Sequence, residues 1–315
     1  MEERNQTISQ RFILLGLSNV PHLQVFYFTM LLIMYVLMVS GNLLLFIVVR
    51  ISPRLHSPMY FFLTNLSIID ISLSSSIVPV LLMNTLTKDR SISSLGCATQ
   101  MYVSIALGAT ECILLAVMAY DRFVAICRPL HYNSIMSKMF CLKLSIGSWS
   151  VGFVNAFIQV SLTFQLPFCN CPYVNHYFCE VPAMVQISCG DTFINELYTY
   201  VTGGIIAMFS FLLTLISYAH IIFKIQKIKS SHGKQKSFST CGSHLTVVTL
   251  YYGPIMFIYL RSHSKENLGD SYKTDKVVSI LYTAVTPMLN PFIYSIRNKD
   301  VLSNLMNKCK GNQCP

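Results

Sequence analysis

The sequence predicts an all-α membrane protein, a bundle of seven transmembrane helices that ends in a short C-terminal amphipathic helix. Three observations lead to this fold class. Of the 315 residues, 53% are hydrophobic and only 11% are charged, whereas a soluble domain carries roughly 25% charged residues. Seven apolar runs are long enough to cross a bilayer, for which a helix needs about 20 residues. Lys and Arg collect in alternate segments between these runs, as the positive-inside rule requires.

The seven spans form a single domain over residues 1–315. Only two carboxylates, Asp70 and Glu111, lie deep in the spans. Proline and glycine inside several spans would weaken a soluble helix, but neighbouring helices in a membrane bundle can satisfy the backbone groups that they free. A closed β-barrel would need alternating strands, and the apolar runs do not alternate. The spans are expected at residues 25–49, 59–86, 97–127, 142–166, 196–226, 236–260 and 273–296.

The distribution of Lys and Arg predicts that the N-terminus lies outside the cell. With this orientation most basic residues fall in inner segments, and the acidic residues lean toward the outer ones. Residues 1–24 are then extracellular, and residues 297–315 form the cytoplasmic tail of a multi-pass protein of the plasma membrane.

Both ends of the chain carry further features. Asn5 begins an Asn-Gln-Thr sequence, a glycosylation acceptor on the predicted outer side. The polar start of the chain does not resemble a cleaved signal peptide, so the first span is expected to act as the insertion signal. Residues 298–308 could form the amphipathic helix on the inner leaflet. Cys309 could be palmitoylated, with an unmodified cysteine as the alternative.

The connection between the fourth and fifth spans is long and rich in cysteine. A long loop without its own periodic pattern is expected to be functional or tied down, and disulfides persist on the oxidising outer side of a membrane. The expected pairs are Cys97–Cys179 and Cys169–Cys189, with Cys97 at the outer start of the third span. Sequence alone does not fix connectivity, so free thiols and other pairings stay open. Cys171 has no assigned partner.

An ionisable side chain deep in a membrane span is costly and therefore indicates function. Asp70 and Glu111 could join Asn42 of the first span and Asn290 of the seventh in one hydrated polar cluster. This cluster predicts a sodium site at Asp70 and Glu111. Two carboxyls that share a proton, or a structural hydrogen-bond network, would satisfy the rule for buried charge equally well. No other metal or cofactor is expected, because no pair of histidines has metal-ligand spacing.

Asp121 and Arg122 are adjacent at the inner end of the third span. Adjacent helical residues do not face each other as residues four apart do. A local ion pair, a fork of donors for the carbonyls of a partner and a positive-inside anchor all stay open for this pair.

Six motifs are spread over the predicted spans. They are Gly41-Asn42, LHSPMYFFL at 55–63, MAYDRFVAIC at 118–127, Ser217-Tyr218, KSFSTCGSHL at 236–245 and PMLNPFIYSIRN at 287–298. Motifs of these kinds in this order resemble those of rhodopsin-like G-protein-coupled receptors, and specifically of odorant receptors. The resemblance covers nearly the whole chain, and the form of the motifs is closer to the tetrapod-type (class II) group than to the fish-like group.

The resemblance implies roles for these motifs. Arg122 would be the activation switch, held by Asp121 at rest and released toward a heterotrimeric G protein, while Tyr218 and Tyr294 rearrange around it. The G protein would be the olfactory stimulatory type, which raises cAMP. Tyr252 would replace a tryptophan that many related receptors carry in the sixth helix, and the polar cluster named above would be the central cluster of the family.

A receptor of this kind would bind its ligand between the outer halves of the third, fifth, sixth and seventh helices, under the long loop. No carboxylate lies above Glu111 on the outer third helix. The expected ligand is therefore small, neutral and mainly apolar, with one oxygen offered to Ser104, Thr202 or Tyr259. Helix packing or lipid contact is the alternative for each pocket residue. The expected ligand-binding residues are Ser104, Ile105, Gly108, Thr202, Ile206, Tyr252, Ile255, Met256, Tyr259, Ile280 and Thr283.

The expected function is a receptor and not an enzyme, because no metal site or Ser-His-Asp arrangement is indicated. The formal net charge of +10 lies in short segments beside apolar spans, which suits a membrane surface better than nucleic acid. An orphan rhodopsin-like receptor for another small molecule or lipid is the alternative, and the motifs at 55–63 and 236–245 argue against it. A membrane transporter is the remote alternative. It would show repeated halves and broken helices, and no repeat appears in the sequence.

Overall fold

Seven long helices make up most of the computed structural model, which describes residues 11–17, 21–87, 90–168, 172–227, 230–261, 274 and 276–296. The predicted helical bundle is confirmed. α4 begins and ends earlier than the predicted span 142–166. The helices are α1 (Pro21–Ile51), α2 (Pro58–Leu86), α3 (Ser94–Cys127), α4 (Lys138–Phe164), α5 (Phe193–Gln226), α6 (Ser231–Arg261) and α7 (276–296, π-helical over Leu281–Val285). Short helices in the connections are Pro53–Leu55, Pro129–His131, Tyr132–Ile135 and Val181–Val185.

The bundle has the surface of a membrane protein. Within the described residues, six of the helices are long and apolar enough to cross a bilayer. The other long helix, α6, is comparable in length, but its first half contains the polar motif at 236–245. Large apolar side chains stay exposed around the bundle, among them Val25 (69%), Phe157 (66%) and Ile205 (63%). Lipid solvates such a belt, whereas water would not, and the chain is therefore a multi-pass membrane protein.

Local sequence determines where several helices begin. Ser93 precedes α3, and its hydroxyl accepts a hydrogen bond from Gly96 N at 3.1 Å. Ser137 precedes α4 and accepts from Phe140 N at 3.3 Å. Pro58 occupies the first turn of α2, where its missing N–H costs no helical hydrogen bond.

A small three-stranded sheet covers one end of the bundle, which the all-α expectation did not include. The central strand β1 (Arg11–Leu14) pairs antiparallel with β2 (Ser91–Ser93) and parallel with β3 (Tyr173–Val174). Strands this short leave no periodic signal in the sequence. We call this end of the bundle the sheet end, and the opposite end, which carries Arg122, the Arg122 end.

α3 is the central helix and packs against α2, α4, α5 and α6. Its close approach to α4 depends on Gly152. A Cβ atom at Gly152 would overlap the hydroxyl of Thr110 and the carbonyl oxygen of Ala106, both on α3. A small residue at the crossing lets the two backbones approach, as is typical of membrane bundles.

Three prolines in α6 and α7 each free a carbonyl oxygen, and a side chain of another helix binds it. Proline has no N–H and cannot bond the carbonyl four residues before it. The three contacts are Thr286 to Leu250 O before Pro254 (3.5 Å), Ser74 to Thr283 O before Pro287 (2.9 Å) and Asn42 to Pro287 O before Pro291 (3.0 Å). The carbonyl oxygens that the prolines free thereby form hydrogen bonds between helices, which is why the spans tolerate these prolines.

Apolar side chains form two clusters that bear on the functional site. The central cluster draws on α1 to α7 and includes Leu107, Ala207, Val247, Tyr251 and Tyr252. The sheet-end cluster joins β1, β3, the first turns of α3 and the helix Val181–Val185, and it includes Phe12, Leu14, Met101, Val174 and Met184.

Several predicted features lie outside the described residues, namely Asn5, Cys169, Cys171, Cys309 and the helix at 298–308. Cys189 is described and is disulfide-bonded. This state is compatible with the predicted Cys169–Cys189 pair, which stays a prediction.

Candidate functional site

The predicted ligand-binding residues divide between the two clusters. Ile206, Ile255 and Ile280 pack against the central cluster, of which the buried Tyr252 is a member. Ile105 packs against the sheet-end cluster instead. Four further residues of the predicted set, all half-buried or buried on the same helices, are Ser104, Gly108, Thr202 and Thr283, and Met256 is half-buried on α6.

The loop between α4 and α5 reaches into the bundle, which was not predicted. Its residues Tyr177 and Phe178, called the loop tip below, are 1% and 2% exposed and belong to the central cluster. The Tyr177 hydroxyl lies 3.1 Å from Thr283 Oγ1. The rings of His176, Tyr177 and Phe178 contact one another, with centroids 4.6 to 5.0 Å apart. The loop tip thus covers the region in which the ligand was expected.

The predicted Cys97–Cys179 disulfide is present and ties the loop tip to α3, with the two Cα atoms 5.4 Å apart. Gln100 adds a second connection. Its Oε1 accepts from Cys179 N, and its Nε2 donates to Ser76 O of α2, both at 2.8 Å. One buried amide therefore joins the loop to two helices.

Lys276 and His176 join the loop to the N-terminal segment and to α7. Lys276 Nζ donates to Gly16 O and to Asn175 Oδ1, both at 3.0 Å. His176 is 3% exposed, and its Nε2 lies 3.5 Å from Oε1 of Glu180. Burial, together with the nearby charge of Lys276, lowers the pKa of His176 to about 3. His176 is therefore neutral near pH 7, and charging it would oppose the closed loop.

Two of the three residues expected to meet a ligand oxygen already use their protons. Ser104 Oγ donates to Met101 O at 3.0 Å, and Thr202 Oγ1 donates to Tyr198 O at 2.7 Å, each within its own helix. A hydroxyl has a single proton, so these groups can accept from a ligand but have no free donor. The side chain of the third residue, Tyr259, lies outside the described residues.

Two adjacent tyrosines of α6 bond to the main chain of α3. Tyr251 OH donates to Gly108 O at 2.6 Å, and Tyr252 OH donates to Cys112 O at 2.9 Å. The Cys112 thiol returns a weak hydrogen bond to Tyr252 OH at 3.4 Å. The two carbonyls are one turn apart on α3. The sequence singled out Tyr252 and missed Tyr251.

The predicted polar cluster is joined only in part. Asn290 Nδ2 donates to both oxygens of Asp70, at 3.2 and 3.0 Å. Asn42 instead donates to the main-chain oxygens of Met38 and Pro287, at 3.1 and 3.0 Å. The amide of Asn42 therefore ties α1 to α7 and does not bond Asp70.

Buried oxygens without a hydrogen-bond partner accompany the Asp70–Asn290 contact. Both carboxylate oxygens of Glu111 and the amide oxygens of Asn42 and Asn290 are in this state. Glu111 and Asp70 also interact electrostatically. Oxygen donors of this kind fit a hard cation, and a proton shared by the two carboxyls would relieve the same repulsion. Among the described residues, no group of three or more His, Cys, Asp or Glu side chains could hold a metal ion.

At the Arg122 end, Asp121 bonds to Tyr132 rather than to Arg122. Tyr132 OH donates to Asp121 Oδ1 at 2.8 Å, and Asp121 is fully buried. Asp121 and Arg122 are both described residues, and no ion pair of 4.0 Å or less joins them. The Nε of Arg122 is buried without an acceptor. The ion pair that the resemblance implied is thus not formed in this structure. Tyr132 binds one oxygen of the carboxylate, and the other, Asp121 Oδ2, has no hydrogen-bond partner.

The predicted switch tyrosines lie near Arg122, together with a histidine that was not predicted. Tyr218 OH and His244 Nδ1 are 2.8 Å apart, and their rings stack with centroids at 5.8 Å. The charge of Arg122 acts on Tyr218, His244 and Tyr294. His244 is fully buried and is the residue of α6 that contacts Tyr218.

Two grooves on the outside of the bundle contain none of the predicted ligand-binding residues. One, of about 480 Å³, lies between α3 and α4 and includes Tyr102 and Phe157. The other, of about 300 Å³, lies between α6 and α7 and includes Phe257 and Leu281. Phe157, Phe257 and Leu281 are exposed, so both grooves face the surrounding lipid.

Comparison with known proteins identifies the family of this helical membrane bundle. The family model described as olfactory receptor matches residues 31–309. The chain belongs to the olfactory receptor family. This receptor is 46% identical to olfactory receptor 5AR1 of Mus musculus over 301 residues, which cover 96% of each chain. It is also 46% identical to olfactory receptor 2G6 of Homo sapiens over 311 residues, which cover 99% of this chain and 97% of the relative. The receptor is therefore a G-protein-coupled odorant receptor and not an enzyme.

Sequence reasoning missed the loop tip, Tyr251, Tyr132 and His244 as members of the receptor's sites. One signal was available for the loop tip. Because Cys179 was expected to bind the start of α3, the two residues before it had to lie close to the bundle. The other three contacts join residues from different elements, and no local pattern indicates such pairs.

Proposed function

We propose that this receptor binds a small, neutral, mainly apolar odorant between α3, α5, α6 and α7, beneath the loop tip, and activates a stimulatory G protein that raises cAMP. The observation that carries the proposal is the burial of Tyr177 and Phe178 in the central cluster, against which Ile206, Ile255 and Ile280 also pack. An apolar region under a lid with a few polar groups is the usual anatomy of a small-molecule site.

The side chains of this region favour a neutral ligand. None of the predicted ligand-binding residues is charged, and Lys276 at the sheet end is already bonded to Gly16 and Asn175. A charged ligand would lose its hydration without gaining a partner, which is strongly unfavourable. Burying roughly 200 Å² of apolar ligand surface contributes about 5 kcal/mol, from which the loss of ligand motion on binding must be subtracted. Weak, broad binding is therefore expected.

In this proposal, α6 carries the signal to the Arg122 end. The bonds from Tyr251 and Tyr252 hold α6 against α3, while Arg122 at the far end of α3 is half-buried. In this proposal the G protein engages Arg122 once α6 has moved away from α3. A ligand that prefers the arrangement with these bonds broken would shift the population toward it.

We infer that the Asp70 region holds a sodium ion. The unpartnered oxygens of Glu111, Asn42 and Asn290 support this inference, since they would hold the ion together with Asp70. The ion would supply positive charge to two buried carboxylates. The thermal stability of purified receptor in sodium chloride and in choline chloride tests it. Sodium should stabilise the wild type and not Asp70→Asn, whereas equal stability of the wild type in both salts would favour the shared proton.

We further propose that the sheet end lies outside the cell, in the plasma membrane. The Cys97–Cys179 disulfide at the sheet end supports this orientation, because disulfides persist in oxidising compartments. Basic residues such as Arg128, Lys138 and Lys224 lie at the Arg122 end, in agreement with the positive-inside rule. An epitope at the N-terminus should stain on intact cells, and one at the C-terminus only after permeabilisation.

A panel of small odorants, applied to cells with measured surface receptor, tests the proposed signalling. The wild type should raise cAMP with at least one neutral odorant. Arg122→Ala should reach the surface and give no response, because the group that meets the G protein is lost. A response that survives Arg122→Ala unchanged, or one that raises calcium without cAMP, would contradict the proposed coupling. Responses to lipids alone would favour the alternative ligand class.

A further inference from the structure

The hydroxyl groups of the proposed ligand region differ in the atom that accepts their proton. Most of them donate to main-chain carbonyl oxygens, at 2.6 to 3.0 Å, and these hydroxyls belong to Ser104, Thr202, Tyr251, Tyr252 and Thr283. An amide carbonyl is a stronger acceptor than a ketone, aldehyde or ester oxygen. A ligand oxygen would therefore gain little by competing for these protons.

Tyr177 differs from all five. Thr283 gives its only proton to Ser279 O at 2.7 Å. The 3.1 Å contact between Tyr177 OH and Thr283 Oγ1 must then use the proton of Tyr177. The acceptor of the Tyr177 proton is therefore a hydroxyl oxygen and not a carbonyl. An alcohol oxygen is no stronger an acceptor than the carbonyl oxygen of a ketone.

A ligand can consequently redirect the proton of Tyr177 at lower cost than the protons of those five hydroxyls. A phenol is also a better donor than an aliphatic hydroxyl, and the ring is 1% exposed, so the bond forms in a nearly water-free region. After the exchange, Thr283 keeps its bond to Ser279, and no group is left with an unused proton. The apolar part of the ligand would meanwhile contact central-cluster neighbours such as Ile280.

We propose that Tyr177 is the hydrogen-bond donor that recognises the ligand, and that it selects small molecules whose polar group is a lone accepting oxygen: ketones, aldehydes and esters. The ligand oxygen replaces Thr283 Oγ1 as the acceptor of the Tyr177 proton. This inference rests on the proposed function in one respect, namely that the ligand lies beneath the loop tip. It adds the chemical class of the ligand and the residue that sets it.

Binding to purified full-length receptor, measured by thermal shift, tests the inference without any signalling readout. The probes are 2-alkanones and n-alkanals of graded length, each paired with the alkene in which a methylene group replaces the carbonyl oxygen. The wild type should bind at least one carbonyl compound more tightly than its alkene. In Tyr177→Phe the Kd of that compound should rise about three- to tenfold, while the Kd of the alkene stays the same.

Thr283→Val separates recognition from a structural role. It removes the acceptor that competes with the ligand, so the Kd of the carbonyl compound should fall or stay level. If the Tyr177–Thr283 contact only braced the loop, both variants would weaken the binding of carbonyl compound and alkene alike. Tyr35→Phe is the matched control, because it removes a tyrosine–serine contact of 3.0 Å between α1 and α2 and should change neither Kd.

The inference is overturned if no carbonyl compound binds the wild type more tightly than its alkene, or if Tyr177→Phe and Thr283→Val act alike. Should Tyr177→Phe not fold, a weakened binding of the carbonyl compound in Thr283→Val overturns it by itself. Binding through Tyr177 without any cAMP response would refute the proposed coupling and leave this inference standing. A cAMP response confined to the alkenes would refute this inference and leave the proposed coupling standing.

Discussion

Tyr251→Phe should raise the ligand-independent activity of the receptor. The substitution removes the hydroxyl that donates to Gly108 O at 2.6 Å and keeps the ring in the central cluster. Gly108 O still accepts from the main chain of α3, so no buried group is orphaned. The loss is that of one neutral hydrogen bond, about 0.5–1.5 kcal/mol.

The size of the effect follows from where the bond acts. It joins α6 to α3 in this structure, and the proposed activation requires that it break when α6 moves away. Its full free energy therefore shifts the equilibrium between the two arrangements. While the active arrangement is a minority, its population should rise about two- to tenfold, and basal cAMP per receptor should rise by the same factor.

The assay is basal cAMP at several receptor densities, divided by surface receptor counted by flow cytometry. Tyr252→Phe should act in the same direction, and the double variant should exceed either. Tyr198→Phe is the control, because it removes a bond of 3.3 Å to Asn155 Oδ1 between α5 and α4 and should leave basal activity unchanged. Equal or lower basal activity of Tyr251→Phe, at normal surface level, would refute the assigned role of the α3–α6 bonds.

Three further predictions concern stability. The pKa of His176 is lowered to about 3 in the folded receptor and is about 6.5 in an unfolded chain. The contribution of neutral His176 to stability is therefore complete above pH 6.5 and is lost as the pH falls toward 3, by up to about 1.4 kcal/mol per pH unit. The melting temperature of purified receptor should drop between pH 7.5 and 5.5 in the wild type and much less in His176→Phe. Gly152→Leu should cost about 3 kcal/mol or more through overlap with α3 and reduce surface receptor, whereas Gly147→Leu, where a Cβ meets nothing within 4 Å, should not. Cys179→Ser opens a bridge across 82 residues, worth up to about 4.5 kcal/mol, and surface staining should reveal retention inside the cell; normal surface levels of this variant would count against the loop tip as a tied lid.

The sequence by itself determined the helical bundle. A backbone inside lipid must satisfy its own polar groups, so an apolar run of spanning length that is not part of a closed barrel must form a helix. This rule is independent of neighbours, and the helix bounds therefore agree with the apolar runs to within a few residues. The Cys97–Cys179 pair could also be expected from the sequence, because compartment and loop position restrict which thiols can meet. The strands β1 to β3 could not be predicted, since segments of two to four residues are too short to show the alternation of a strand.

Only the tertiary structure decided which partner each polar group takes. Asp121 adjoins Arg122 in sequence, yet its carboxylate accepts from Tyr132. Tyr177 lies in a loop with no pattern, yet it reaches Thr283 of α7. An apolar run specifies that a helix is buried in lipid, but a hydrogen bond requires two atoms within about 3 Å at the right angle. The rotation and depth of each helix meet that requirement only after all the helices have packed.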